Sequence, residues 1–244
     1  MEKSFAILGD IHSNIDALRA VIDDARSQSV TDFLCVGDVV GYNAAPAECI
    51  SVIRDELNAV TVRGNHDHYC SHDARLDDFQ PLAASVIDWT RRQLSSDDAT
   101  WLRDLPLQKL SMGIGLVHST LDMPGRWGYV FDLLDAEAHF SYQATTISFH
   151  GHTHVPLTFV KQGADVYRYD PSNLQLVIGT KYFINVGSVG QPRDGDPRSS
   201  YVIFKPRSRV AEFRRIEYDV ETAMERNRLA NLPDRLIKRL AAGR

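Results

Sequence analysis

Five short apolar runs in this chain each stop at residues that carry metal-binding or acid–base chemistry. Residues 4–10 read S-F-A-I-L-G-D, 33–38 read F-L-C-V-G-D and 60–66 read V-T-V-R-G-N-H. Residues 114–118 read I-G-L-V-H and 147–152 read I-S-F-H-G-H. Continuous apolar runs of this length, rich in β-branched and aromatic residues, suit strands buried on both faces. Between the first two runs, Ile15, Leu18, Ile22 and Ala25 recur at helical spacing behind Asn14, a candidate N-cap. A second helix is predicted over 46–57, with Pro46 near its first turn. The order β-α-β-α-β implies right-handed crossovers and a largely parallel start to a sheet.

Residues 79–104 read as helical and carry Trp89, Leu94 and Trp101. After His154 the texture changes. Strand-like stretches at 157–161, 166–170, 174–178, 182–186, 200–205 and 210–217 alternate with turn residues, as in antiparallel sheet. The segment 219–241 reads as an amphipathic helix interrupted by Pro233. No long linker or low-complexity block divides the chain, so one domain over residues 1–244 is expected.

In open α/β sheets, ligand sites form beyond the carboxyl ends of strands. The residues just past the five runs are Asp10 and His12, Asp38, Asn65 and His66, His118, and His152 with His154. Two carboxylates, one amide oxygen and five imidazoles, with no thiolate, make a shell for divalent cations. Glycines 9, 37, 64 and 151 precede four of these groups and permit sharp turns and close backbone approach. In F-H-G-H-T-H an extended backbone puts His152 and His154 on one side and His150 on the other, which gives His150 a packing role.

Other classes find no support. The net charge is −5 with no Lys/Arg run, so no electrostatic footprint for nucleic acid is present. The N-terminal apolar run is too short for a secretory signal, and no run is long enough to span a bilayer. Cys35, Cys49 and Cys70 have neither zinc nor redox spacing, which favours reduced thiols and a cytoplasmic location. Gly187 and Gly190 match no dinucleotide or P-loop fingerprint.

The set D-I-H (10–12), G-D-V-V-G-Y (37–42), G-N-H-D (64–67), V-H (117–118) and G-H-T-H (151–154) resembles the five motifs of the calcineurin-like metallophosphoesterases. The stretch N-V-G-S-V-G-Q-P-R (185–193) is similar to one found in a bacterial and archaeal branch labelled phosphodiesterase or diadenosine-tetraphosphatase-like. The resemblance implies an α/β fold, a four-layer α/β/β/α sandwich with mixed sheets, and a dinuclear metal site. It implies that Asp38 bridges two divalent cations. One would take Asp10, His12 and His154, and the other Asn65, His118 and His152. Manganese is the foremost cofactor, and a mixed N/O shell also accepts Fe, Zn, Ni or Co.

The implied activity is hydrolysis of phosphate esters, phosphodiesters ahead of monoesters, by attack of a metal-bridging hydroxide. The resemblance assigns His66 to protonation of the leaving oxygen, and its neutral-range pKa suits that role. Asp67 either orients His66 or caps a turn. Arg193 offers a fork for phosphate, while Tyr42 and Trp127, with Asn43 and Tyr129 beside them, line the mouth of the site. The expected partner is a small phosphate ester, nucleotides included. In relatives a glycine often follows the motif histidine; here Ser119 does, which bears on substrate details. The alternatives are a phosphomonoesterase or protein phosphatase, and a non-catalytic metal-binding scaffold on the same fold. A full ligand set with His66 argues against the scaffold. A β-lactamase-type metal hydrolase needs an H-x-H-x-D-H run, and none occurs.

Overall fold

The computed structural model describes residues 2–76 and 80–244. Strand β1 (Phe5–Leu8), helix α1 (Ile15–Ser27), strand β2 (Asp32–Cys35), helix α2 (Pro46–Ser51) and strand β3 (Val60–Thr61) form the opening unit, and its strands pair in parallel. The Asn14 side chain caps α1 by accepting from the Ala17 N–H at 3.1 Å. Pro46 opens α2, which continues as a π-helical turn over Val52–Glu56. Helix α3 (Asn65–Ser71) begins at the residues expected from the sequence to carry the site beyond the third strand.

The predicted helix over 79–104 is two helices, α4 (Pro81–Gln93) and α5 (Ser96–Asp104); Phe79 lies outside the described residues. The break falls where the Ser95 hydroxyl accepts from the Asp98 N–H at 3.1 Å, an N-cap that starts a new helix. Strands β4 (Gln108–Ser111) and β5 (Ile114–Val117) form a hairpin, followed by α6 (Leu133–Tyr142) and β6 (Ile147–His150). The remaining strands are β7 (Leu157–Gln162), β8 (Asp165–Tyr169), β9 (Leu174–Gln175), β10 (Thr180–Asn185), β11 (Ser199–Lys205) and β12 (Val210–Ile216). Helices α7 (Val220–Leu229) and α8 (Asp234–Ala242) follow, separated at Pro233 as the sequence predicts.

Two mixed sheets result. One runs β3-β2-β1-β11-β12-β9 and the other β4-β5-β6-β10-β7-β8. The late strands are therefore shared out: β11 lies antiparallel to β1, while β10 lies parallel to β6. Alternation along β1 explains the layering. Ala6 and Leu8 face α1 and α2, together with Leu18, Ile22 and Ile50. Phe5 and Ile7 face the other sheet, packing with Leu116, Phe149 and Ile184. A third core, with Phe140, Phe159 and Phe183, lies between the second sheet and α6. Three cores between four layers account for the doubly buried apolar runs. Among the described residues, no helix is long and apolar enough to cross a membrane.

One buried histidine in the third core has a consequence for stability. His139 and His150 stack on opposite sides of Phe183, with ring centroids 3.4 and 3.8 Å from it. His139 Nδ1 accepts the Leu121 N–H at 3.2 Å, which only the neutral ring can do, and Nε2 faces Gln143 and Ser148. Burial lowers its pKa from 6.5 to about 3. Between those values the unfolded chain binds a proton that the folded chain refuses. Its stabilising contribution is full above pH 6.5 and is lost as the pH falls towards 3. In chelator, His139→Gln is expected to flatten the slope of unfolding free energy against pH below 6.5 by up to about 1.4 kcal/mol per pH unit. Urea titrations at several pH values measure this, and equal slopes would refute it.

Candidate metal and catalytic centre

The parallel strands of both sheets end at one edge, and the predicted ligands meet there. Asp10, His12 and His154 form one group, and Asp38, His118 and His152 another, each with its ligand atoms within 4.8 Å of one another. Asp38 Oδ2 sits 3.5 Å from His12 Nε2 and 3.3 Å from His118 Nε2, between the two groups. Asn65 Oδ1 is 3.1 Å from His118 Nε2. Asp10 Oδ1 is 3.3 Å from His154 Nε2. The six carboxylate and imidazole residues of these two groups are at most 5% exposed.

The tautomers carry the chemical meaning. His12 Nδ1–H donates to the Val40 carbonyl at 3.1 Å, and His118 Nδ1–H to the Val36 carbonyl at 2.9 Å. His154 Nδ1–H donates to the Gln191 carbonyl at 2.6 Å, and His152 Nε2–H to the Trp127 carbonyl at 2.8 Å. Each ring thus has one N–H fixed to a backbone carbonyl and its other nitrogen turned inward. The inward nitrogens of His12 and His154 are 3.0 Å apart, and those of His118 and His152 3.2 Å. Two neutral rings that meet this way, as His12 and His154 do, repel unless something positive lies between them, while His118 carries a proton shared with Asp38. Outer carbonyls that set the tautomer of inward imidazoles are the usual support of a metal site. The donor set therefore fits divalent cations.

The electrostatics agree. Burial lowers the pKa of His12, of His154 and of His152, the last to about 3, keeping these rings in the neutral form that binds metal. Burial also pulls His118 down, but the Asp38 carboxylate outweighs it and raises His118 to about 9. Burial opposes the charge on Asp38, yet His118 and His66 hold its pKa well below the usual carboxylate range. A cation between Asp38 and His118 would take the place of that proton.

The local backbone departs from expectation at G-H-T-H. His152 and His154 have φ of 69° and 61°, so the segment is coiled, not extended. Two left-handed residues bring the rings to the site, where strand alternation was expected to do so. Asp10, His12 and Asp38 are left-handed too, with φ of 49°, 48° and 54°. Non-glycine residues rarely hold this conformation, and they cluster where surrounding structure imposes it. Gly64 and Gly151 are required by close approach: a Cβ would overlap Asp38 Oδ1 at the first and Asp10 Oδ2 at the second. His150 ends β6 with its ring on Phe183, apart from the ligand cluster.

His66 lies beside the ligands, its ring centroid 4.8 Å from that of His12 and 4.4 Å from that of Tyr42. Its backbone N–H donates to Asp38 Oδ1 at 2.8 Å, and its buried Nδ1 has no partner. Asp67 accepts from the backbone N–H groups of Asp38, Val39, Val40 and Gly64 at 2.8 to 3.2 Å. Burial and the nearby Asp38 push the Asp67 carboxyl up to about 7, the four N–H donors oppose that by favouring the ionised form, and these bonds hold the Asp38 loop against the start of α3. No hydrogen bond joins Asp67 to His66, so any influence of Asp67 on that ring passes through the backbone. The Arg193 guanidinium lies 5.5 Å over the Tyr42 ring, and its Nη2 donates to Gln191 Oε1 at 2.9 Å. The Trp127 ring is 6.1 Å from that of His118. Tyr129 stacks on His152 at 4.1 Å and is half exposed, forming part of the wall.

Several supporting groups escape a sequence reading. The carbonyls of Val36, Val40, Trp127 and Gln191 have no sequence signature, because every residue has one. Asn185 and Ser188 had a signal, since they follow an apolar run as the ligands do. Asn185 Nδ2 donates to the Gly151 carbonyl at 2.7 Å, and Ser188 Oγ to the Asp10 carbonyl at 2.7 Å. The N-V-G-S stretch thus braces the loops that carry Asp10 and His152.

The sequence matches the calcineurin-like phosphoesterase superfamily domain over residues 4–209. It is 35% identical over 249 residues to protein MJ0912 of Methanocaldococcus jannaschii, with all of both chains covered. The structure is similar to a metallophosphoesterase from Sphaerobacter thermophilus, with TM-score 0.89, 36% identity and all of both chains covered. Protein PH1004 from Pyrococcus horikoshii shares the fold at TM-score 0.77 and 17% identity, with 99% of this chain and 98% of that one covered. A converging shell of inward imidazoles and carboxylates on a two-sheet α/β sandwich, matched over most of its length by one domain family, makes this chain a member of the calcineurin-like phosphoesterase superfamily.

Proposed function

We propose that this protein hydrolyses phosphate esters, phosphodiesters ahead of monoesters, with two divalent cations, manganese foremost. The observation that carries this reading is the set of four imidazoles whose outer N–H groups are fixed to carbonyls and whose other nitrogens turn to a shared centre with Asp10 and Asp38. Asp10, His12 and His154 would hold one cation, Asn65, His118 and His152 the other, and Asp38 both. When bound, the cations supply acidified water as nucleophile and positive charge for the phosphate oxygens. The chain's own groups do the rest. Asp67 fixes the loop that positions Asp38. His66 stands ready, with an unpartnered Nδ1, to meet the leaving oxygen. Arg193 and Tyr42 flank His66 where a phosphate or its ester group would lie.

The test reloads metal-stripped protein with Mn²⁺ and compares bis-p-nitrophenyl phosphate with p-nitrophenyl phosphate. Faster turnover of the diester is the expected result. Faster turnover of the monoester would make the protein a phosphatase instead. Two bound metals with no turnover of either ester would point to a binding scaffold.

A further inference from the structure

Beside the metal centre lies a cavity of about 700 Å³ whose wall holds Tyr42, Arg193, Arg235, Arg239 and Arg244. We propose that it binds a further phosphoryl group of the substrate, so that the substrate is an ester carrying a chain of phosphates. This inference rests on reading the metal centre as hydrolytic.

Three observations carry it. First, the cavity is continuous with the catalytic residues. Tyr42 touches both spaces: its ring is 4.6 Å from His12 and 4.4 Å from His66 by centroid, and Arg193 lies over it. A phosphate held at the metals would thus have the next group of a chain passing Tyr42 and Arg193.

Second, the described residues leave these side-chain cations unpaired. Among the described residues, no carboxylate pairs with Arg193, Arg235, Arg239 or Arg244. The acids of the adjoining loop are engaged elsewhere: Asp194 pairs with Arg215, and Asp196 with Arg198 at 2.7 Å. Asp234 lines the neighbouring groove of about 630 Å³ without pairing to these arginines. Arg193 Nε is buried without a partner. Burial, then the nearby Arg193 and Arg235, disfavour the charge on Arg239. Like charges gathered with this little compensation are stabilised when an anion enters.

Third, the wall is built into the fold. Helix α8 presents Arg235 and Arg239 while Ile237 and Leu240 pack on Ala223 and Met224 of α7. Its end is fastened to the Arg193 loop, where the Gly195 N–H donates to the Gly243 carbonyl at 3.0 Å. The first turn of α4 forms the facing wall, which brings the positive end of its dipole to the same space.

The test uses the pair of variants Arg235→Gln and Arg239→Gln combined, since Arg235 is exposed and Arg239 partly so and neither belongs to the catalytic set. The Mn²⁺-loaded enzyme is given two substrates with one leaving group: the p-nitrophenyl ester of a nucleoside monophosphate, and the γ-p-nitrophenyl ester of the triphosphate. Wild type is expected to prefer the triphosphate ester in kcat/KM. The double variant is expected to lose at least about tenfold of that preference while its rate on the monophosphate ester is unchanged. Independently of activity, inorganic tripolyphosphate is titrated into the full chain with excess EDTA, so that the probe reports the cavity alone. Binding by wild type and about tenfold weaker binding by the variant support the proposal. If both esters turn over and the substitutions change neither ratio nor binding, the inference is overturned and the hydrolytic reading stands. If wild type turns over neither ester, the hydrolytic reading fails and the cavity's role as a substrate subsite fails with it, whatever tripolyphosphate does.

Discussion

Asp38→Asn is expected to abolish hydrolysis and to lower the metal content of the protein on both sides of the site. Asp38 Oδ2 lies 3.5 Å from the inward nitrogen of His12 and 3.3 Å from that of His118, so one carboxylate serves both ligand groups. Asparagine keeps the shape but removes the charge, and one of its two positions becomes an N–H donor. A loss on the order of 10³-fold or more in kcat/KM, about 4 kcal/mol of transition-state stabilisation, is the expected scale. The fold should survive. The Oδ1 atom of asparagine can still accept the His66 N–H, which Asp38 binds at 2.8 Å. Losing one partner of a buried pair costs about 3–5 kcal/mol, and relief of the repulsion from Asp67 offsets part of it, so in chelator the variant is expected to be destabilised by less than that range while remaining folded. Initial rates on a diester, metal content by elemental analysis and urea unfolding in chelator measure the three quantities. Retention of both metals at full activity would remove Asp38 from its assigned place.

The part of this site that sequence makes legible is the part that buried strands impose. Strands covered on both faces must be continuously apolar, so their ends are sharp, and chemistry-bearing residues just beyond them stand out. Asp10, Asp38 and His118 follow that rule. Asn65 and His66 follow it less directly, because strand β3 is only Val60–Thr61 and the G-N-H-D turn opens helix α3. The left-handed backbone at His152 and His154 was not legible, since nothing in histidine favours it and tertiary contacts impose it. Distribution of β10 and β11 to different sheets was hidden for a similar reason: strand patterns reveal faces, not partners. The arginine-lined cavity joins position 42 to positions 193 and 235–244, and no local pattern connects residues that far apart. Arg193 was noted for its guanidinium fork, but only the fold shows which cations stand beside it.

His66→Ala is expected to keep both metals yet hydrolyse poorly, and the deficit should depend on the leaving group. Burial lowers the His66 pKa; Asp38 raises it and Arg193 lowers it again, leaving it at about 4. The resting ring is therefore neutral at pH 7. Burial has thus displaced the neutral-range pKa expected from the sequence, and an anionic phosphate arriving beside the ring shifts it back upward. A departing alkoxide needs a proton, whereas p-nitrophenolate leaves without one. The expected loss is about 10² to 10⁴-fold for alkyl leaving groups and about tenfold or less for p-nitrophenol. The rival assignments give different results. His66 also forms a group with His12 and Asp38 in which ligand atoms lie within 4.8 Å, so it is near enough to be a ligand itself. Loss of metal in the variant would favour that role. Metals retained with an equal loss across all leaving groups would instead make His66 a residue that positions phosphate. Rates over a leaving-group series, with metal content measured on the same samples, separate the three.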